Sequence, residues 1–71
     1  MREPCFATFN GRIVELYDAD KIRLRIFNMP HNVVGAQVGG SGNDTRVSIM
    51  MDDGSWENRS WDGRILLKGH R

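Results

Sequence analysis

The sequence predicts an all-β domain of five to six short antiparallel strands, and two observations carry that prediction. Apolar residues recur at every second position, with no stretch showing the three- and four-residue spacing of an amphipathic helix. Asx-Gly dipeptides at Asn10-Gly11, Asp53-Gly54 and Asp62-Gly63 stand between such alternating runs, where hairpin turns are expected. The strands are expected to close into a small SH3-like or Sm-like barrel, or to form a compact two-layer sheet. One domain, residues 1–71, accounts for the whole chain.

Met1–Pro4 reads as an exposed lead-in, because Pro4 cannot donate to a ladder. Cys5–Phe9 and Arg12–Tyr17 flank the Asn10-Gly11 turn, and Lys21–Asn28 follows a three-residue turn at Asp18-Ala19-Asp20. In that third segment Ile22, Leu24 and Ile26 alternate with Lys21, Arg23, Arg25 and Phe27. Matching apolar residues pairs Leu16 with Ile22 and Val14 with Leu24, which puts Cys5, Ala7, Val14 and Leu16 on the same core side. Phe6, Thr8, Ile13 and Glu15 then share the other side with Arg23, Arg25 and Phe27. Pro30 ends the strand. Val34, Ala36 and Val38 suit a short edge strand, and residues 39–45 read as a flexible Gly-rich loop.

Arg46–Lys68 is the stretch with the clearest signal, three strands joined by two Asp-Gly turns. Two-residue type I′ loops at those turns pair Met51 with Trp56, Ile49 with Asn58 and Val47 with Ser60. On the second hairpin they pair Trp61 with Arg64, Arg59 with Leu66 and Asn58 with Leu67. One face then carries Val47, Ile49, Met51, Trp56, Ile65 and Leu67, and reads as core. The other carries Arg46, Ser48, Met50, Glu57, Arg59, Trp61, Arg64, Leu66 and Lys68. Trp56 is thus expected inside and Trp61 among arginines. Residues 69–71 read as a frayed tail. Phe9–Val14 echoes Trp61–Leu66 as aromatic–Asx–Gly–Arg–Ile–aliphatic, which shared turn chemistry explains.

A 71-residue chain buries only about 60% of the surface its unfolded form exposes, so burial against a second copy is expected to help. The single cysteine, Cys5, excludes an internal disulfide and suggests a reducing, cytoplasmic setting. Apolar runs reach only about three residues, so neither a membrane span nor a signal peptide is expected. The net charge of +1 hides an uneven distribution, with aspartates at the turns and arginines along the strands.

Catalysis finds little support, because Cys5 has no base nearby in sequence and His31 and His70 fall in a loop and a tail. One Cys and two scattered His are too few for a zinc site, and Asp52-Asp53 is explained by the turn. Gly39-Gly40-Ser41-Gly42 lacks the Lys-Ser/Thr ending and following helix of a phosphate loop. No catalytic residue, metal or cofactor is expected. The basic and aromatic face is the functional signal: Trp61 with Arg46, Arg59 and Arg64, extended by Arg23 and Arg25. Trp and Arg are the commonest anchors of protein interfaces. The leading expectation is therefore a non-enzymatic protein-binding module, a small inhibitor or adaptor, working as a homo-oligomer. The alternative is a nucleic-acid-binding barrel using the same residues, with bases stacked on the aromatic. A third is a small anionic-ligand binder using Gly39–Asp44.

Overall fold

The computed structural model describes residues 3–71, so the predicted lead-in lies partly outside it. Seven strands form among the described residues, where the sequence predicts five to six. β1 (Phe6–Asn10), β2 (Ile13–Tyr17) and β3 (Arg23–Asn28) make one antiparallel sheet in the order β1-β2-β3. β4 (Val33–Gly39), β5 (Arg46–Met51), β6 (Ser55–Ser60) and β7 (Ile65–His70) make a second, in the order β4-β5-β6-β7. β1 runs beside β4, but no ladder among the described residues joins the two sheets. The chain therefore folds as two antiparallel sheets around a shared core, and among the described residues no barrel is closed by backbone hydrogen bonds. β7 includes Gly69 and His70, and Arg71 N–H donates to Gly54 O at 3.0 Å, so the predicted frayed tail belongs to the sheet. Pro4, predicted to be exposed, is buried.

Three turns share one design that two-residue counting does not capture. Asp52-Asp53-Gly54, Trp61-Asp62-Gly63 and Ala19-Asp20-Lys21 are three-residue loops in which the third residue has positive φ (89°, 100° and 65°). In each, that residue's N–H donates to the carbonyl three positions back: Met51, Ser60 and Asp18. This is a type I turn closed by a left-handed residue, the usual three-residue hairpin. Only the final residue need be left-handed, so Asp stays at negative φ. The extra residue slips β6 by one against β5: Val47 lies opposite Arg59, Ile49 opposite Glu57 and Met50 opposite Trp56. Because side chains alternate, every β6 residue exchanges faces. Trp56 and Asn58 turn outward, and Glu57 and Arg59 turn toward the core. The Asn10-Gly11 hairpin is also displaced, to Gly11-Arg12, but by an even step that leaves its faces as predicted.

Lys21 is the only non-glycine residue with positive φ among the described residues. A left-handed side chain costs roughly 1–2 kcal/mol, part of which glycine would return as lost chain entropy. Lys21→Gly is expected to raise stability by up to about 1 kcal/mol, read as a higher urea midpoint. A lower midpoint would mean that the Lys21 side chain holds the turn. The turn is otherwise secured by Asp18, whose Oδ1 accepts from the N–H groups of Asp20 and Ile22, each at 2.9 Å.

Bulges reset three ladders. Tyr17 lies opposite Arg23 and Leu16 opposite Arg25, which leaves Leu24 as an extra residue. Beyond it the phase of β3 is inverted relative to prediction, so Phe27 faces Val14 in the core and Ile26 faces solvent. Val34 is likewise extra between Val33 and Gly35, and it is Val33, Ala36 and Val38 that turn inward. Leu66 is extra between Ile65 and Leu67, so Arg59 lies opposite Ile65 while the predicted pair Asn58–Leu67 is kept. The core comprises Val14, Leu16, Phe27, Met29, Val33, Val47, Ile49 and Met51, with Ala7, Ala36 and Val38 at its margin. Cys5, predicted on the core side, is exposed.

Candidate binding surfaces

The predicted basic-aromatic patch does not assemble as one surface. Trp61 is the first residue of its turn and packs back toward β3, with the Arg25 guanidinium 5.2 Å from its ring centroid. Arg59 points inward and lies 5.3 Å over the Phe27 ring. Its Nε and Nη2 each reach Glu57 Oε1 at 2.8 Å, and Nη1 donates to Gly63 O at 3.4 Å. This guanidinium is committed to the fold. Arg64 is exposed beside the turn, where its N–H donates to Ser60 Oγ at 3.2 Å. Arg46 lies opposite Ser60 rather than Trp61, on the outer face of the second sheet. Arg23 is on the outer face of the first, paired with Glu15 at 3.1 Å. The one-residue slip of β6 turns Arg59 inward and leaves Trp61 in the turn, while Arg23 and Arg25 lie on the other sheet.

That slip also builds a surface that two-residue counting conceals. Across the outer face of the second sheet run three rows of Cα partners. Gly35, Met50, Trp56 and Gly69 form the first, Gln37, Ser48, Asn58 and Leu67 the second, and Gly39, Arg46 and Ser60 the third. A Cβ on Gly69 would lie 2.5 Å from Trp56 Cζ2, so the indole rests across bare backbone. A Cβ on Gly35 would meet Met50 Cε at 3.0 Å. Both glycines lie on the outer strands of this sheet, where such bulky neighbours cover exposed backbone. Three depressions of 290, 310 and 630 Å³ open on this side, sharing Ser48, Met50, Trp56, Asn58 and Arg71 between them. The signal for this face was present as the small and polar alternation Gly35-Gln37-Gly39 with Ser48, Asn58 and Gly69.

β7 offers a different surface. Among the described residues it pairs with β6 alone, which leaves its other edge open. Ile65, Leu66 and Leu67 are 46%, 42% and 57% exposed, and Lys68 and His70 follow them.

The Gly-rich segment is folded rather than open, with a 3₁₀ turn at Gly42–Asp44. Gly42 N–H donates to Glu3 Oε2 at 2.8 Å, so one donor of any anion nest here is already taken by a carboxylate. Near the β5–β6 turn the ligand atoms of His31, Asp52 and Asp53 lie within 4.8 Å of one another, all three residues exposed. His31 Nε2 is 3.1 Å from Asp53 Oδ2. The hydroxyl and N–H of Ser55 hold the Asp53 carboxyl below its usual value, and His31 and His70 add to the effect. Asp62 is lowered in the same way by the Ser60 hydroxyl and the Arg64 N–H. Both carboxylates are explained by closing their turns.

No family model, curated protein or solved structure matches the chain. Among the described residues no helix is long and apolar enough to cross a membrane.

Proposed function

We propose that the chain is a non-enzymatic protein-binding module that works by strand addition at β7, its first partner being a second copy of itself. The observation that carries this reading is the exposure of Ile65, Leu66 and Leu67 on a strand with one open edge. An unpaired row of N–H and C=O groups is a template for another strand. Main-chain hydrogen bonds then supply affinity and alternate side chains supply selectivity. Arg71 N–H points to Gly54 O, so by alternation Gly69 and Leu67 also face β6, while Lys68 and His70 face the open edge.

Charge placement favours β7 pairing with β7. An antiparallel pair with Leu66 opposite Leu67 sets Lys68 against Ile65 and Arg64 against Gly69, so no like charges stand directly opposed. Such a pair is two-fold and closes as a dimer. Pairing β7 with the β3 edge would instead confront basic residues with Arg23 and Arg25 and would not close.

Sedimentation equilibrium from micromolar to millimolar protein tests this. The expected result is a monomer–dimer equilibrium abolished by Lys68→Pro, which removes an outward N–H without touching the β6 ladder. Leu67→Lys is expected to do the same by placing charge on the edge. A mass of one chain throughout, or a dimer unaffected by both changes, would overturn the proposal.

A further inference from the structure

Beyond strand addition, and independent of it, we infer that the outer face of the β4–β7 sheet binds a short single-stranded nucleic acid. One base stacks on Trp56, and Arg46 and Arg71 hold the backbone at the two ends.

The trough exists because its walls are low. Gly35, Gly39 and Gly69 contribute no side chain, and Ser48 and Asn58 between them are short. Its depressions run from Gly40 and Arg46 at one end to Gly54 and Arg71 at the other, with sizes typical of ligand sites. One face of the Trp56 indole lies on Gly69 backbone, which leaves the opposite face as a platform. Base–aromatic stacking needs such a platform and is tolerant of sequence.

Along the floor, the side chains of Gln37, Ser48 and Asn58 form no hydrogen bond with any other described residue. Each amide offers both donors and acceptors, the complement of an unpaired base edge. Arg46 and Arg71 form no ion pair with another described residue; Arg71 Nη2 approaches only Met50 Sδ, at 3.7 Å. Arg46 stands four residues from Met50 on β5, about 13 Å along the strand, so the two guanidiniums bracket the floor. Asp44 lines the Arg46 end and limits how far a polyanion can run past it.

Cations at both ends, without an ion pair among the described residues, favour a ligand with repeated negative charge over a neutral glycan. The platform and the amides favour bases over a featureless polyanion.

Tryptophan fluorescence tests this in a Trp61→Phe background, titrating oligothymidylate and, separately, a heparin oligosaccharide across a salt series. The expected result is quenching of Trp56 by oligothymidylate. Trp56→Ala, Gln37→Ala and Arg46→Ala should each weaken binding, the first by roughly tenfold, measured by anisotropy of a labelled oligonucleotide. Arg46→Ala should also lower the salt slope by about one, while Arg23→Ala, on the far side of the molecule, changes neither. Circular dichroism checks that each variant is folded; the side chains of Gln37 and Arg46 form no hydrogen bond or ion pair with another described residue, so they keep the test valid if Trp56→Ala unfolds. Absence of binding at low salt would overturn the inference. So would equal affinity for heparin without quenching, or binding indifferent to Gln37→Ala and Arg46→Ala.

Discussion

Phe27→Ala is expected to cost about 3–5 kcal/mol, whereas Ile26→Ala, its immediate neighbour, is expected to cost less than about 1 kcal/mol. Phe27 is 7% exposed and Ile26 44%, although spacing alone assigns them the reverse environments. The Phe27 ring lies under the Arg59 guanidinium, and its Cε1 is 3.3 Å from where a Cβ on Gly63 would stand. It therefore links β3 to the β6–β7 turn, where no ladder does. A chain of this length has a total stability of roughly 4–10 kcal/mol, so Phe27→Ala should remove a large part of it. Urea unfolding of the two variants measures the contrast. If Ile26→Ala proved the more damaging, β3 would lack its bulge.

Arg59→Ala is the second large effect, expected to cost roughly 3 kcal/mol, the lower end for breaking a buried ion pair. The pair is 17% and 12% exposed at the side chains, and removing Arg59 strands the Glu57 carboxylate against Ile49. It also uncovers Phe27. The double change Glu57→Leu with Arg59→Met should recover most of the loss, because an apolar pair of similar volume needs no desolvated charge. Thermal unfolding of the single and double variants decides the matter, and an additive loss would refute the pairing argument. A binding assay on Arg59→Ala would report folding rather than contact.

The alternating pattern was enough to read the β class, the strand positions and the inward face of β5, because Val47, Ile49 and Met51 keep their phase within one strand. It was not enough to read β6, because Asp-Gly serves two-residue and three-residue turns alike. The decision rests on whether Asp53 and Asp62 adopt positive φ, and they do not. Leu24, Val34 and Leu66 are as apolar as their neighbours, so nothing in their chemistry marks them as extra. The site residues inherited both errors. Arg25 and Trp61 meet as two members of the predicted set, while Trp56, the tryptophan assigned to the core, is carried to the face that Arg46 keeps.

Those bulges bear on how the chain tolerates changes of length. Dropping Leu24 leaves Tyr17 opposite Arg23 and Leu16 opposite Arg25, with Val14 still facing Phe27. Dropping either neighbour would instead remove a residue that has a cross-strand partner. A one-codon deletion at Leu24 is therefore a milder event for this ladder than many point substitutions nearby. In an alignment of close variants, a gap at this position would shift no partner, and residues on its two sides would stay in step.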